Sequence, residues 1–218
     1  MIYLDYQATT PLAPEAREAM LAWLGGPDSD TFGNPHSPHR MGRQAKAAIE
    51  MAREQVAALF PAGGKVIFTS GATEAINLAI RGSGQDGSVS VSAIEHAAVL
   101  DTAEAMRRQG RDVTILPVDD DGLVDMDAAR AVIRPGVALV AAMLVNNEIG
   151  VIQPTAALAR LAREAGALFL CDAVQGYGRV PMPDGCDMIA ISAHKIHGPK
   201  GVGALWLRDG VRPAPLLH

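Results

Sequence analysis

Two kinds of hydrophobic pattern divide the chain. Over residues 14–24 apolar positions recur at helical spacing, with Pro14 at the start and Gly25-Gly26 after the end. A longer helix is predicted from about residue 39 to residue 60. It carries Met41, Ala45, Ala48, Ile49, Ala52, Val56 and Leu59 on one stripe. Between them, residues 28–37 are polar and bear glycine and proline, which marks a loop. From Lys65 onward short apolar runs alternate with helical segments. Residues 66–69, 89–91, 113–116, 138–145, 168–171, 188–191 and 204–207 read as seven strands. Helices are predicted over 73–81, 97–109, 126–133 and 155–165. Strand–helix alternation with unbroken apolar strands predicts an α/β fold, a mostly parallel sheet covered by helices on both faces. Such sheets bind ligands outside the carboxyl ends of their strands, so the chemistry is expected in the turns that follow these runs.

Composition narrows the class. A chain of 218 residues is one full domain plus an extension, long enough to fold without a disulfide or metal staple. The two cysteines, Cys171 and Cys186, form no even framework and no metal-like spacing, which fits a reducing cytosol. A net charge of −5 argues against nucleic acid as the main partner. The longest apolar run, residues 137–145, is far short of a membrane span. The first five residues have no basic start and no apolar core, so no signal peptide is expected. No internal repeat or low-complexity tract occurs. A cytoplasmic α/β enzyme, with no membrane partner, is the expectation.

Several short motifs then compete with plainer explanations. Gly82-Ser83-Gly84-Gln85-Asp86-Gly87 matches the dinucleotide fingerprint by letter, but it follows a helix and precedes a strand. The mechanism needs a strand-to-helix turn, so this is a loop. Ser70-Gly71-Ala72-Thr73-Glu74 has the required context. Free amides at a helix start, a glycine and a hydroxyl make an anion site, although an ordinary capped helix accounts for the same residues. Asp172 closes one strand and Lys195 follows the next, within residues 192–201. A carboxylate and a lysine at one sheet edge suit pyridoxal phosphate (PLP): the lysine forms a Schiff base and the carboxylate keeps the pyridine nitrogen protonated. On spacing alone, a strand-end aspartate and a solvated lysine are the plainer explanation.

The remaining residues are more ambiguous still. His96 follows Glu95 after a strand, where it serves as a cap or stacks on a planar ring. Asn146-Asn147-Glu148 ends the most apolar strand, and amides there need partners that a ligand can supply. His36/His39 and His194/His197 have near-metal spacing but no third ligand, so no metal is expected. Cys171, in a strand, reads as an inert packing residue, and Cys186, in a turn, as an unsupported candidate nucleophile.

Taken together these segments resemble the cysteine desulfurases, in the class V aminotransferase branch of the fold-type-I PLP enzymes. The likeness spans essentially the whole chain and is nearest to the iron–sulfur cluster assembly group. It begins with Tyr3-Leu4-Asp5-Tyr6-Gln7-Ala8-Thr9-Thr10-Pro11 and Phe32-Gly33-Asn34-Pro35-His36-Ser37. It continues through Thr69 to Glu74, Glu95-His96, Val145-Asn146-Asn147-Glu148-Ile149-Gly150, Asp172-Ala173-Val174-Gln175 and Ser192 to Gly201. The order of motifs, rather than any one of them, carries the resemblance.

The resemblance implies that Lys195 is the Schiff-base lysine and Asp172 the partner of the pyridine nitrogen. It places Ala72, Thr73, Ser192 and His194 around the phosphate, His96 against the ring, and Asn147 and Gln175 near the ring hydroxyl. It implies conversion of L-cysteine to L-alanine, with sulfur passed to a cysteine thiolate on a mobile loop. Residues 1–12 would belong to a small domain and 13–218 would form the PLP-binding large domain. A homodimer and a sulfur-acceptor or scaffold protein are the implied partners. Another class V enzyme (an aminotransferase or a selenocysteine lyase) and a non-catalytic assembly module are the competing readings. Family members continue beyond the position of His218 into a glycine-rich stretch and a small C-terminal domain. That part carries the catalytic cysteine, a substrate-gripping arginine and a phosphate-binding threonine lent across the dimer. A chain lacking it is expected to bind PLP more weakly, form no persulfide efficiently and leave an apolar surface uncovered.

Overall fold

The computed structural model describes residues 2–83 and 87–217. Two helices come first, α1 (Pro14–Leu21) and α2 (Arg40–Ala57). There follow β1 (Gly64–Thr69), α3 (Ala72–Gly82), β2 (Ser88–Ser92), α4 (Ala97–Arg108) and β3 (Val113–Leu116). The second half holds α5 (Met126–Val132), β4 (Val137–Met143), α6 (Thr155–Glu164), β5 (Leu168–Asp172), β6 (Met188–Ser192) and β7 (Gly203–Arg208). A single 3-10 turn, Ala193–Lys195, follows β6. The predicted strands and helices of the second region all form, with ends shifted by a residue or two.

The strands make one seven-stranded sheet in the order β1-β7-β6-β5-β4-β2-β3. β7 runs antiparallel to both of its neighbours, and the pairs from β6 through β3 are parallel. Alternate residues of each strand feed two cores, which is why the strands read as unbroken apolar runs. Leu139, Leu170, Met188 and Leu205 pack against Ile76 and Ile80 of α3 on one face. Val140, Phe169, Ile189 and Trp206 pack with Phe60 and Leu158 on the other.

The first sixty residues differ from expectation. α1 stops at Leu21, short of residue 24, and none of its residues is buried. Along α2 only Gly42 and Ala45 are buried, and Ile49 and Leu59 of the predicted stripe lie open to solvent. The helical period fixes which residues share a face; it says nothing about what covers that face. β4 ends at Met143 because Val145 leaves the sheet to bridge Ile152 instead. The segment that matches the dinucleotide fingerprint runs from the end of α3 toward β2, and its residues 84–86 lie outside the described residues.

One part of the amino-terminal region is firmly tied down. Thr10 donates from both its amide and its Oγ1 to the carbonyl of His194, each at 2.9 Å. His197 donates its amide to Thr10 Oγ1 at 2.7 Å, and Ala13 donates to the His197 carbonyl at 2.9 Å. His197 sits at φ 63°, a left-handed conformation that a non-glycine residue keeps only when its surroundings hold it. These bonds hold it.

Candidate functional site

The register explains where the site forms. Asp172, the last residue of β5, lies between Met143 of β4 and Ala190 of β6. Ser192, the last residue of β6, faces Gly203 of β7, which in turn faces Thr69 of β1. Gly203 is bare for a reason: a Cβ there would lie 2.5 Å from the carbonyl carbon of Gly71 and 2.8 Å from the oxygen of Ile191. The turn that starts α3 therefore rests directly on β7, and Ser192 comes close to that helix N-terminus. The first amides of a helix have no intrahelical acceptor, which makes the start of α3 a candidate anion site.

A cavity of about 590 Å³ opens at this edge. Its lining includes Ala72, Thr73, His96, Asn147, Asp172, Gln175, Ser192, His194 and Lys195, so all the residues singled out for the cofactor meet in one place. It also includes Ser70 of the predicted anion turn, and Thr9, Met143 and Lys200, to which the sequence reading gave no role. Lys200 had a signal in its position beside Gly201, close after Lys195. Thr9 had none, because it reaches the site only through a fold contact with a residue 185 positions away. The volume is in the range of small-molecule and cofactor sites.

The electrostatics are uneven across the cavity. Asp172 is buried, and its Oδ1 accepts from the amide of Val174 at 2.9 Å. Burial pushes its carboxyl up, against the pull of that amide and of the nearby His96 and Lys195. The Lys195 ammonium is pushed down by burial, while Asp172 and Asp5 oppose the shift. Its Nζ donates to the carbonyls of Gln7 at 2.6 Å and Ala8 at 3.0 Å. Arg179 holds the Lys195 carbonyl at 2.7 Å, fixing the backbone from which the amine extends. His194 is held below its ordinary value by burial and by Lys195 and Lys200, and its Nδ1 meets Thr9 Oγ1 at 3.2 Å.

The polar residues around the rim take definite roles. His96 caps α4, its Nδ1 accepting from the Ala98 amide at 3.0 Å, which leaves Nε2 to carry the ring proton. Gln175 donates to the Gln7 carbonyl at 2.9 Å, and Asn147 donates to Glu148 at 2.8 Å. Of the remaining histidines, His39 accepts from the Gly42 amide as the cap of α2, and His197 Nδ1 lies 3.0 Å from the Pro11 carbonyl. Both cysteines are buried away from the cavity. The neighbouring Cys186 and burial together push the Cys171 thiol up.

Comparison with known proteins places this arrangement. The sequence matches the aminotransferase class-V family over residues 2–216. A protein named cysteine desulfurase from Cereibacter sphaeroides is 49% identical across the whole chain, and the chain covers 58% of that relative. Cysteine desulfurase IscS of Dictyoglomus turgidum is 43% identical across the whole chain, with 56% of its own length covered. The chain thus spans little more than half the length of these relatives. Among solved structures, SspA in complex with cysteine superposes with a TM-score of 0.92 at 36% identity, covering the whole chain and 65% of that structure. A NifS-like protein superposes with a TM-score of 0.91 at 35% identity, with 62% of that structure covered. The chain belongs to the aminotransferase class-V family.

Proposed function

We propose that the chain is the cofactor-binding part of a PLP-dependent cysteine desulfurase, a sulfurtransferase that converts L-cysteine to L-alanine. One observation carries the reading: a buried carboxylate, a desolvated lysine amine and a helix N-terminus line the same cavity. The donor set fits PLP at four points. The amides of Ala72 and Thr73, with the side chains of Thr73, Ser192 and His194, suit a phosphate. Asp172, its charged form disfavoured by burial, gains from a cation placed against its open side, as a protonated ring nitrogen would be. His96, exposed at the mouth, offers a flat face to a ring. Asn147 and Gln175 offer amides near the ring's hydroxyl.

When bound, PLP supplies an aldehyde that condenses with an amine and a ring that takes up electrons from the substrate's α-carbon. The chain's residues do the rest. The Lys195 amine, pushed toward its neutral form by burial, would hold the cofactor covalently and would be placed to take a proton from the substrate's α-carbon and return one. The Asp172 carboxylate would face the ring nitrogen and favour its protonated form. Overall, the C–S bond of cysteine breaks and its sulfur forms an S–S bond to an acceptor thiolate. The carbon gains a proton and becomes that of alanine.

Cys171 and Cys186 are poorly suited as that acceptor, being buried, and in the case of Cys171 with a thiol held well above its ordinary value. The acceptor thiol on this reading comes from another segment or another protein. Residues 1–12 associate with a small second domain and 13–218 form the large one. The exposed apolar residues of the first sixty positions, Leu24 and Phe32 among them, suit coverage by that domain or by a second copy in a homodimer. Iron–sulfur cluster assembly in the cytoplasm is the role that we infer from the order of the sequence motifs.

Supplying the full chain with PLP, cysteine and an excess of a dithiol, which serves as sulfur acceptor and reductant, and measuring alanine and sulfide tests the reading. Alanine and sulfide in equal amounts are expected. PLP binding without cysteine turnover, but with transfer of an amino group to a 2-oxo acid, would replace it with an aminotransferase.

A further inference from the structure

Glu95 is a buried carboxyl that the chemistry above does not use. It is 6% exposed and does not line the main cavity, yet it sits next to His96 in sequence and one strand from Asp172 in space. Its Oε1 accepts two hydrogen bonds, from Ser92 Oγ at 2.5 Å and from the Met143 amide at 2.7 Å. The first bond closes the turn between β2 and α4. The second crosses to the end of β4, at the residue paired with Asp172 in the β4–β5 register. Asn146 makes a second tie between the same two places, donating from Nδ2 to the Ile94 carbonyl at 2.8 Å. Its Oδ1 meanwhile accepts the amides of Glu148 and Ile149 at 2.8 and 2.9 Å.

We propose that Glu95 is a positioning residue whose carboxyl joins the β2–α4 turn to the end of β4 and so sets the gap between the His96 ring and the Asp172 carboxylate. The turn is otherwise held by Asn146 and by the Ala93 amide, which donates to the Leu116 carbonyl at 2.9 Å. Ala93 and His96 are exposed and Ile94 is half-buried, so hydrophobic packing does little there. A carboxyl with one strong cross-strand bond replaces it. That the gap is the width of a cofactor ring rests on the PLP reading; that Glu95 sets it does not.

The chemistry of the carboxyl supports a tether rather than an acid or base. Oε2 is buried and has no hydrogen-bond partner among the described residues. An ionised carboxylate would leave that oxygen unpaired beside the like charge of Asp172. Burial and the Asp172 charge hold the carboxyl up at about 8, with the Ser92 and Met143 bonds opposing them. A neutral carboxyl keeps Oε1 as the acceptor of both bonds and adds no second negative charge behind Asp172. Glutamine is then its closest substitute, with the amide oxygen in the place of Oε1.

The test compares Glu95→Gln, Glu95→Ala and Glu95→Asp in the full chain, with two readouts. The first is the His96 ring resonance and its titration by NMR without PLP. The second is PLP affinity, read from the absorbance of the bound cofactor. Glu95→Gln is expected to leave the His96 signal in place and PLP affinity within about threefold of wild type. Glu95→Ala should shift the His96 signal and weaken PLP about tenfold or more, the equivalent of one lost hydrogen bond. If the alanine protein does not fold, Glu95→Asp, one methylene too short to reach Met143, carries the same expectation. The proposal falls if glutamine disturbs both readouts as much as alanine or aspartate does, because charge and not reach would then matter. It falls equally if the short side chains leave both unchanged. A wild-type chain that binds no PLP would sink the functional reading, and the His96 signal would still decide this one.

Discussion

Residues 64–208 and the sixty residues before them are built on different principles. In the sheet region, α3 buries Ala75, Ile76, Ala79 and Ile80, and β6 is buried along its whole length. In the amino-terminal region, α1 buries nothing, and Leu24, Phe32 and Met51 are 70%, 61% and 59% exposed. Val56 and Ala57 of α2 pack against the sheet core, and polar and aromatic contacts add to them. Arg53 donates to the Val66 carbonyl at 2.8 Å and lies 5.0 Å from the centre of the Phe68 ring. Tyr177 donates its hydroxyl to the Val56 carbonyl at 2.7 Å. The catalytic candidates Asp172 and Lys195 stand on or directly after central strands, where packing fixes the backbone. Residues 7–13 are held instead by hydrogen bonds to the Lys195 turn.

The sharpest attempt to break that contrast is Lys195→Ala. It should abolish lysine-bound PLP absorbance entirely while leaving the circular dichroism of the fold intact, because only an amine can condense with the aldehyde. Borohydride trapping and peptide mapping of the wild type should place the label on Lys195. A label on Lys200 or Lys65 would contradict the assignment.

Core truncation should separate the two regions next. Phe169→Ala should cost about 3–5 kcal/mol of unfolding free energy, since Phe169 is fully buried. Urea unfolding measures it, and a loss below about 1 kcal/mol would show a looser sheet than its burial indicates.

Asp172→Asn should keep PLP bound but slow cysteine turnover by about ten- to a thousandfold. A neighbouring carboxylate holds a cation's pKa by about 1–3 units, and an amide does not. Rates near wild type would remove Asp172 from its role.

A smaller effect concerns pH. Glu95 holds its proton up to about 8 in the folded chain, against 4.5 as the ordinary value. Between those pH values the folded state binds more protons than the unfolded state, so its contribution is complete below the lower value. It is lost as pH rises through the upper one, at up to about 1.4 kcal/mol per pH unit. Asp172, also raised by burial, adds a slope of the same sign. Glu95→Gln should flatten the fall in urea midpoint over this window, and an unchanged slope would show that Glu95 does not titrate there.

The smallest effect belongs to the open region. Leu24→Ser and Phe32→Ser should each change stability by no more than about 0.5 kcal/mol, as both side chains are exposed. A large loss in either would mean that the region is covered in solution, and sedimentation would show whether by a second copy.

The sequence by itself determined the α/β class and every strand of the sheet, and it set Asp172 and Lys195 after neighbouring strands. It could do so because those features are local. Strand periodicity, helix starts and the position of a charged residue after an apolar run are all carried within a few residues. The strand-to-helix turn at Ser70–Glu74 was legible as well, through the glycine and hydroxyls at the start of α3. Other features needed the tertiary structure. Gly203 gave no sign in sequence that it supports that turn, since the contact with Gly71 depends on β7 being inserted antiparallel between β1 and β6. Thr9 and Gln7 enter the site only because the chain returns across the Lys195 turn. Glu95 showed only as the neighbour of His96 until the register set its carboxyl beside Met143 and Asp172. A short-range pattern records which face a residue presents. Which residue it meets there depends on the order of the strands, and that order is set by the whole fold at once.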